Sequence, residues 1–317
     1  MLILFLLALL DPIAGGGAAG GKAVPFLEKG QALFKAGDLD GALAAFNAAA
    51  AADPKDARAP YLRGVTLEKR GDAGGAIAAY KAALARRPAF AEASNNLGAL
   101  LLAKGDNGGA AAALEAATKA NPDYAEAHYN LGLARDAEGK RAEAVTAYRE
   151  AVRLKPGDGG YRLNLGAALR RTGDVDGAVA ALKEATRLSP NDALAFADLG
   201  MVLSDQRAFD DAQKALEKAT KLNPNLALAW DRLGRVILKK GDAAGAVAEC
   251  RAAVALDPKN PLARYELGKA LVAQGDCAGA TAELEHFAAL PGIKPEAKAQ
   301  AQTIARSCIR GAGKPAK

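Results

Sequence analysis

The chain has 317 residues, half of them apolar and only 5% aromatic, and its 42 basic and 36 acidic residues give a net charge of +6. At this length a single globular core is near its upper size limit, so we expect two domains or one elongated repeat array. The mixed charge argues against nucleic-acid binding, and two widely separated histidines argue against a catalytic or metal-binding cluster.

The N-terminus begins with an uninterrupted apolar run over residues 2–10, which ends at Asp11-Pro12 and is followed by a Gly/Ala-rich stretch. This run is too short to span a bilayer and is typical of the apolar region of a secretory signal peptide. The basic start of such a signal is missing, because the first basic residue is Lys22. We interpret residues 1–22 as an atypical signal peptide and linker, which predicts a periplasmic or secreted protein. The alternative is an apolar helix on the first repeat of a cytoplasmic protein.

The strongest pattern in the chain is a period of 34 residues. Proline recurs at this spacing from Pro54 to Pro258, and glycine from Gly30 to Gly268. Alanine rows beginning at Ala42 and Ala49 keep the same period. The order of Leu-Gly, Ala, aromatic or Leu, Ala and Pro resembles the tetratricopeptide repeat, a helix-turn-helix unit. The resemblance implies an all-α, right-handed superhelical solenoid, but it says little about function.

Local signals place the ends of these helices. Glycine closes the first helix of a repeat, an aspartate often caps the second, as in Gly71-Asp72, and Pro156 stops a second helix from continuing. Repeat six carries Arg207 in place of the turn glycine, and repeat eight has Phe287 in place of alanine. We predict eight repeats over residues 23–294, starting at residues 23, 57, 91, 125, 159, 193, 227 and 261. A capping helix over 295–310 and a disordered tail over 311–317 complete the expected domain organisation.

Two of the three cysteines are predicted to form a disulfide. Cys277 begins the second helix of repeat eight, and Cys308 falls near the end of the capping helix. In a tetratricopeptide stack these two ends are adjacent, because each new helix runs antiparallel to the one before it. We expect a Cys277–Cys308 disulfide in an oxidising compartment; two reduced thiols in a cytosolic protein are the alternative. Cys250 lies on a buried row and is interpreted as a packed thiol.

A row of polar residues precedes the Leu-Gly pair of successive repeats. Asn96, Asn130 and Asn164 occupy three consecutive positions of this row. They resemble the asparagine ladder of protein O-GlcNAc transferases, which holds an extended peptide through its backbone. A carboxamide both donates and accepts hydrogen bonds, so it can match the amide and carbonyl of an extended strand. The alternative is that these side chains satisfy neighbouring groups of the chain itself.

The remaining predicted binding residues lie on or beside this row. Asp198 and Arg232 continue the row with charges, Tyr129 and Leu133 offer apolar anchors, and Arg235 adds to a basic C-terminal groove. Such a surface suits an extended peptide with apolar residues at one end and acidic residues at the other.

These features predict a non-catalytic scaffold or adaptor that binds other proteins through a concave groove, without a cofactor, a metal or a membrane-spanning segment in the mature chain. A regulatory or substrate-recognition subunit of an enzyme complex, with its catalytic subunit on a separate chain, is the alternative function. Self-association through the exposed solenoid edge is a third interpretation.

Overall fold

A computed structural model describes residues 21–312, so most of the expected signal peptide and residues 313–317 lie outside the described part. The described residues form helices joined by short connections, with no strand among them. The chain divides into two compact units, Met1–Pro156 and Gly157–Lys317, which we call unit 1 and unit 2. No helix of residues 21–312 combines the length and apolar character needed to cross a membrane.

Unit 1 contains eight helices in its described part. They are α1 (Val24–Ala36), α2 (Leu39–Ala52), α3 (Arg58–Lys69), α4 (Ala73–Arg86), α5 (Ala91–Ala103), α6 (Asn107–Ala120), α7 (Ala125–Ala137) and α8 (Arg141–Leu154). Unit 2 contains nine in its described part. They are α9 (Gly159–Thr172), α10 (Val175–Leu188), α11 (Ala193–Asp205), α12 (Phe209–Leu222), α13 (Ala227–Lys239), α14 (Ala243–Leu256), α15 (Pro261–Gln274), α16 (Cys277–Ala289) and α17 (Pro295–Ala312).

The helices pair in sequence as antiparallel hairpins. Each odd-numbered helix up to α15, here called a helix A, packs on the even-numbered helix that follows it, here called a helix B. The helices A of neighbouring repeats also touch, α5 with α7 in unit 1, and α9, α11, α13 and α15 in succession in unit 2. The all-α fold with eight helical hairpins is confirmed, and within unit 2 the helices A form a continuous row.

The glycine row allows the two helices of each hairpin to pack closely. A Cβ added at Gly132 would lie 2.5 Å from a ring carbon of Tyr148, and one at Gly98 would lie 2.5 Å from the Cγ of Leu114. Both distances are far below van der Waals contact, so a larger residue would push the helices apart. At Gly132 the space that a Cβ would need is taken by the Tyr148 side chain of helix B.

Aspartates cap most helices B at the position that the sequence indicated. The carboxylates of Asp72, Asp106 and Asp242 accept hydrogen bonds from backbone N–H groups three residues later, which satisfies one of the free donors of each helix start. The turn residue one or two positions after a helix A has a left-handed backbone, usually as glycine. In repeat six this residue is Arg207, with φ 62°, and within 21–312 no other non-glycine residue has a positive φ.

The last helix, α17, covers the end of the final repeat. It packs on α15 and α16, with Ala301 and Ala305 buried in a cluster with Leu284 and Phe287. The helix continues through Gly311 to Ala312. The disorder expected over residues 311–317 lies outside the described residues from position 313 onward.

Candidate functional site

The two predicted asparagine rungs of unit 1 belong to a hydrogen-bond network inside the protein. Asn96 Nδ2 donates to the hydroxyl oxygen of Tyr80 at 3.3 Å, and Asn130 Nδ2 donates to Asn95 Oδ1 at 2.9 Å. Asn95, which is buried, donates in turn to Asn96 Oδ1 and to the Tyr124 hydroxyl, each at 3.3 Å. These contacts favour the interpretation that the two rungs satisfy groups of the chain itself.

The two predicted apolar anchors of unit 1 also lie on helix α7. The ring of Tyr129 packs on Tyr148 of helix B, with the ring centroids 5.9 Å apart. Both Tyr129 and Leu133 are half-buried, so each keeps part of its surface exposed.

Two half-buried carboxyls, those of Glu68 and Glu126, accompany the network of unit 1. The Tyr80 hydroxyl donates to Glu68 Oε2 at 2.8 Å. Burial raises the pKa of Glu68, although this hydrogen bond acts in the opposite direction. Burial likewise raises the pKa of Glu126, while Lys155 and Asn95 act to lower it. The helix-A side of unit 1 therefore combines amides and hydroxyls with two carboxyls whose pKa values are raised.

In unit 2 the same row of positions is largely charged. Asn164 Nδ2 donates to the Gly160 carbonyl of its own helix at 3.0 Å. At the next two positions, Arg232 Nη1 lies 2.5 Å from Asp198 Oδ1, with the two side chains 11% and 19% exposed. This ion pair joins α11 to α13, so two residues predicted to bind a partner also contact each other.

A second group of charges lies on α13 and α15. Arg235 Nε is 3.6 Å from Glu266 Oε1, and Lys269 Nζ donates to Glu266 Oε2 at 2.8 Å. Because the Arg235 contact is longer than a hydrogen bond and its side chain is one third exposed, this guanidinium keeps hydrogen-bonding capacity toward solvent.

Asp231 is a buried carboxylate without a hydrogen-bond partner. It is 1% exposed, and neither of its oxygens has a partner among the described residues. Burial raises its pKa to about 6, and Glu266 adds to the rise, while Arg235 and Arg232 oppose it. Burial, reinforced by this carboxylate, also raises the pKa of the Cys250 thiol to about 12. The thiol therefore stays protonated at neutral pH, as expected of a packed structural cysteine.

Unit 2 contains a pocket of about 290 Å³ on helices α9, α11 and α13. It is lined by Ala167, Arg170, Arg171, Leu182, Leu194, Asp198, Met201, Val202, Leu228 and Arg232. A smaller adjoining pocket shares Met201 and Arg232 and is also lined by Ser204, Asp205, Arg235, Val236 and Lys239. We call the two together the unit-2 pocket; it combines an aliphatic surface with a cationic one.

The predicted cysteine pair is joined in the structure. Cys277 and Cys308 form a disulfide with a Cα–Cα distance of 5.4 Å, which links the start of α16 to the last turns of α17. Cys250 is buried and free. Among residues 21–312, no cluster of histidine, cysteine and carboxylate side chains has the geometry to hold a metal ion.

Asn95 and Asp231 were not identified from the sequence as polar centres of their units. They occupy the same position of the repeat, which Tyr61 and Tyr265 fill elsewhere. A signal was present, because a polar residue on a row otherwise filled by aromatic and aliphatic side chains is expected to be buried. Asn95 is bonded both within its own repeat and to Asn130 of the next one, while Asp231 has no hydrogen-bond partner among the described residues, and the period alone specifies neither arrangement.

Sequence models of the tetratricopeptide repeat match residues 27–89, 61–125, 95–159, 129–193 and 197–261, and a further one matches residues 238–302. The chain is a tetratricopeptide repeat protein. Among curated proteins, none matches this tetratricopeptide repeat protein. Its architecture is that of a protein–protein interaction scaffold, in a fold that typically carries no catalytic groups.

Solved structures agree with this assignment. A double mutant of MamA from strain RS-1 is 30% identical and matches 55% of this chain and 97% of its own, with a TM-score of 0.50. A tetratricopeptide repeat protein of Parabacteroides merdae is 14% identical and matches 80% of this chain and 99% of its own, with a TM-score of 0.63. The pilF protein of Pseudomonas aeruginosa is 19% identical and matches 66% of this chain and 95% of its own, with a TM-score of 0.57. The last two similarities show the fold alone.

Proposed function

We propose that this tetratricopeptide repeat protein is an adaptor of the bacterial cell envelope that binds an extended segment of a partner protein along its helices A. The observation that carries the proposal is the continuous row of helices α9, α11, α13 and α15 in unit 2, with the unit-2 pocket on it. Pockets on rigid helices bind other molecules at little cost in ordering, because their lining residues are already held in place.

Two features support a location in the envelope. The apolar run over residues 2–10 followed by small residues is typical of an export signal. The Cys277–Cys308 disulfide suits an oxidising compartment, since cytosolic thiols are kept reduced.

A pull-down from the native organism tests the proposal. The bait carries Leu133→Ala, Asn164→Ala and Met201→Ala, which shorten half-buried side chains on helices A of both units. The control bait carries Lys119→Ala, Lys183→Ala and Lys218→Ala, at exposed positions of helices B. We expect specific partners to be lost from the first bait and retained by the control, with both baits keeping the circular dichroism spectrum of the wild type.

The same experiment distinguishes the alternatives. Partners that remain on the helix-A bait would overturn the proposal for this face. Recovery of the protein in the cytoplasmic fraction, with both thiols free, would overturn the envelope location. A transferase or protease among the lost partners would favour the regulatory-subunit function, and concentration-dependent mass in sedimentation would favour self-association.

A further inference from the structure

We infer that the unit-2 pocket takes an acidic peptide segment in which an aliphatic residue is flanked by carboxylates. The inference rests on the proposed function and specifies the chemistry of the segment that it binds. It concerns the lining of this pocket alone, so it can fail while other parts of the helix-A row still bind a partner.

The first argument is charge. Among the residues that line the unit-2 pocket, cationic side chains outnumber carboxylates by five to two. The two carboxylates are already engaged within the unit: Asp198 pairs with Arg232 at 2.5 Å, and Asp205 pairs with Arg170 at 2.7 Å. Arg235 also lies 3.6 Å from Glu266, which does not line the pocket. When this carboxylate is counted, the positive charges still outnumber the negative ones, and this excess selects a negatively charged ligand.

The second argument is preorganisation. Each of the two ion pairs connects neighbouring helices A, Arg170 of α9 to Asp205 of α11 and Arg232 of α13 to Asp198 of α11. A guanidinium held by one carboxylate keeps further N–H donors in a fixed orientation. A ligand carboxylate then meets a guanidinium that has already lost its rotational freedom, which lowers the entropic cost of binding.

The third argument is the aliphatic part of the lining. Leu194 is 42% exposed, and it lines the pocket together with Met201 and Leu228. A volume of about 290 Å³ is at the lower limit of small-molecule sites, so it suits one aliphatic side chain better than a cofactor. The row of helices A continues beyond the pocket to α15. A bound peptide can therefore extend along this row on one side of its aliphatic residue.

The experiment measures the binding of fluorescent peptides to the full-length protein by anisotropy. The main probe is a Gly/Ser peptide that carries isoleucine with glutamates on both sides. One control peptide replaces the isoleucine by glycine, a second replaces the glutamates by lysines, and a polyanion control is a single-stranded oligonucleotide of equal charge. We expect the glutamate–isoleucine peptide to bind about tenfold more tightly than the glycine control. We expect the lysine peptide not to bind, because its charge has the same sign as the pocket.

Variants of the protein locate the binding. The combined Arg171→Gln, Arg235→Gln and Lys239→Gln substitutions remove charge from the pocket, and we expect about a tenfold loss of affinity. Asp198→Asn removes a negative charge but keeps an oxygen for Arg232, and we expect about threefold tighter binding. The matched control carries Lys183→Gln, Lys218→Gln and Arg251→Gln on helices B and is expected to bind as the wild type does.

Each contrary outcome has a clear meaning. Equal loss in the pocket variant and the helix-B control, or equal binding of the oligonucleotide, would show general attraction of anions and overturn the inference. Equal binding of the glycine peptide would show that the aliphatic residue does not contribute, and it would overturn that part of the inference. If no acidic peptide binds while the helix-A bait still loses its partners, the inference is wrong and the proposed function stands. If both tests fail, both are wrong.

Discussion

The same position of the repeat carries opposite chemistry in the two units. In unit 1, buried Asn95 exchanges hydrogen bonds with Asn130, Asn96 and Tyr124. In unit 2, buried Asp231 has no hydrogen-bond partner, and burial raises its pKa to about 6. A carboxamide can be both donor and acceptor, so its neighbours satisfy it without any charge being buried. A carboxylate only accepts, and its burial is costly unless donors converge on it.

The neighbouring rows repeat this difference. Unit 1 places amides and hydroxyls beside carboxyls with raised pKa values, whereas unit 2 joins its helices A with ion pairs such as Asp198–Arg232. The helical framework tolerates both arrangements, because the glycine and alanine rows that set the helix spacing lie elsewhere in the repeat. Neighbouring helices A are thus joined by amides in unit 1, through Asn95 and Asn130, and by charged side chains in unit 2, through Asp198 and Arg232.

The largest expected effect comes from the disulfide, which the structure places in unit 2. Cys277→Ser with Cys308→Ser opens a loop of 31 residues, which should lower the free energy of unfolding of unit 2 by about 3 kcal/mol through greater freedom of the unfolded chain. Hydrogen exchange followed by mass spectrometry should show faster exchange in α16 and α17, with α1 and α2 unchanged. Equal acceleration in α1 and α2 would contradict the assignment of this effect to unit 2.

The second prediction replaces Asp231 by asparagine, the residue that the third repeat has at this position. The folded-state pKa of about 6 lies above the unfolded value of 3.8. Ionisation of the carboxyl therefore destabilises the folded state relative to the unfolded state at neutral pH. For the wild type, the free energy of unfolding should therefore rise as the pH falls from about 6 toward 3.8. Asp231→Asn should stabilise unit 2 at pH 7 by about 2–3 kcal/mol and flatten this pH dependence, as measured by urea unfolding at several pH values.

The reverse exchange in unit 1 is the control. Asn95→Asp places a carboxylate where Asn130 now donates to an amide oxygen and where the neighbouring Glu126 already has a raised pKa. Unit 1 should lose about 2 kcal/mol at neutral pH and recover part of it on acidification. If Asp231→Asn destabilises unit 2 instead, the nearby arginines stabilise the ionised carboxylate more than its burial penalises it.

The sequence predicted the parts of this comparison that depend on the period. The helix-A starts, the capping aspartates and the adjacency of Cys277 and Cys308 follow from a 34-residue unit stacked on its neighbour. The side-chain partners did not follow, because Asp198 and Arg232 are both polar residues on one row, and only the distance between them shows that they pair. Three asparagines on that row predicted a ladder, yet the partners of Asn130 and Asn164 differ.

The smallest expected effect concerns the one turn in which unit 2 departs from the backbone pattern of its neighbours. Arg207 has φ 62°, where the equivalent residues Gly173 and Gly241 have φ 87° and 93°. A side chain in the left-handed region costs about 1 kcal/mol or more, whereas glycine adopts it freely but loses more entropy on folding. Arg207→Gly should therefore stabilise unit 2 by about 0.5–1 kcal/mol net in urea unfolding.

Arg207→Ala separates the two causes, because it removes the charge but keeps a Cβ at positive φ. We expect alanine to give no gain; a gain equal to that of glycine would mean that repulsion of the Arg207 charge, rather than backbone strain, destabilises this turn.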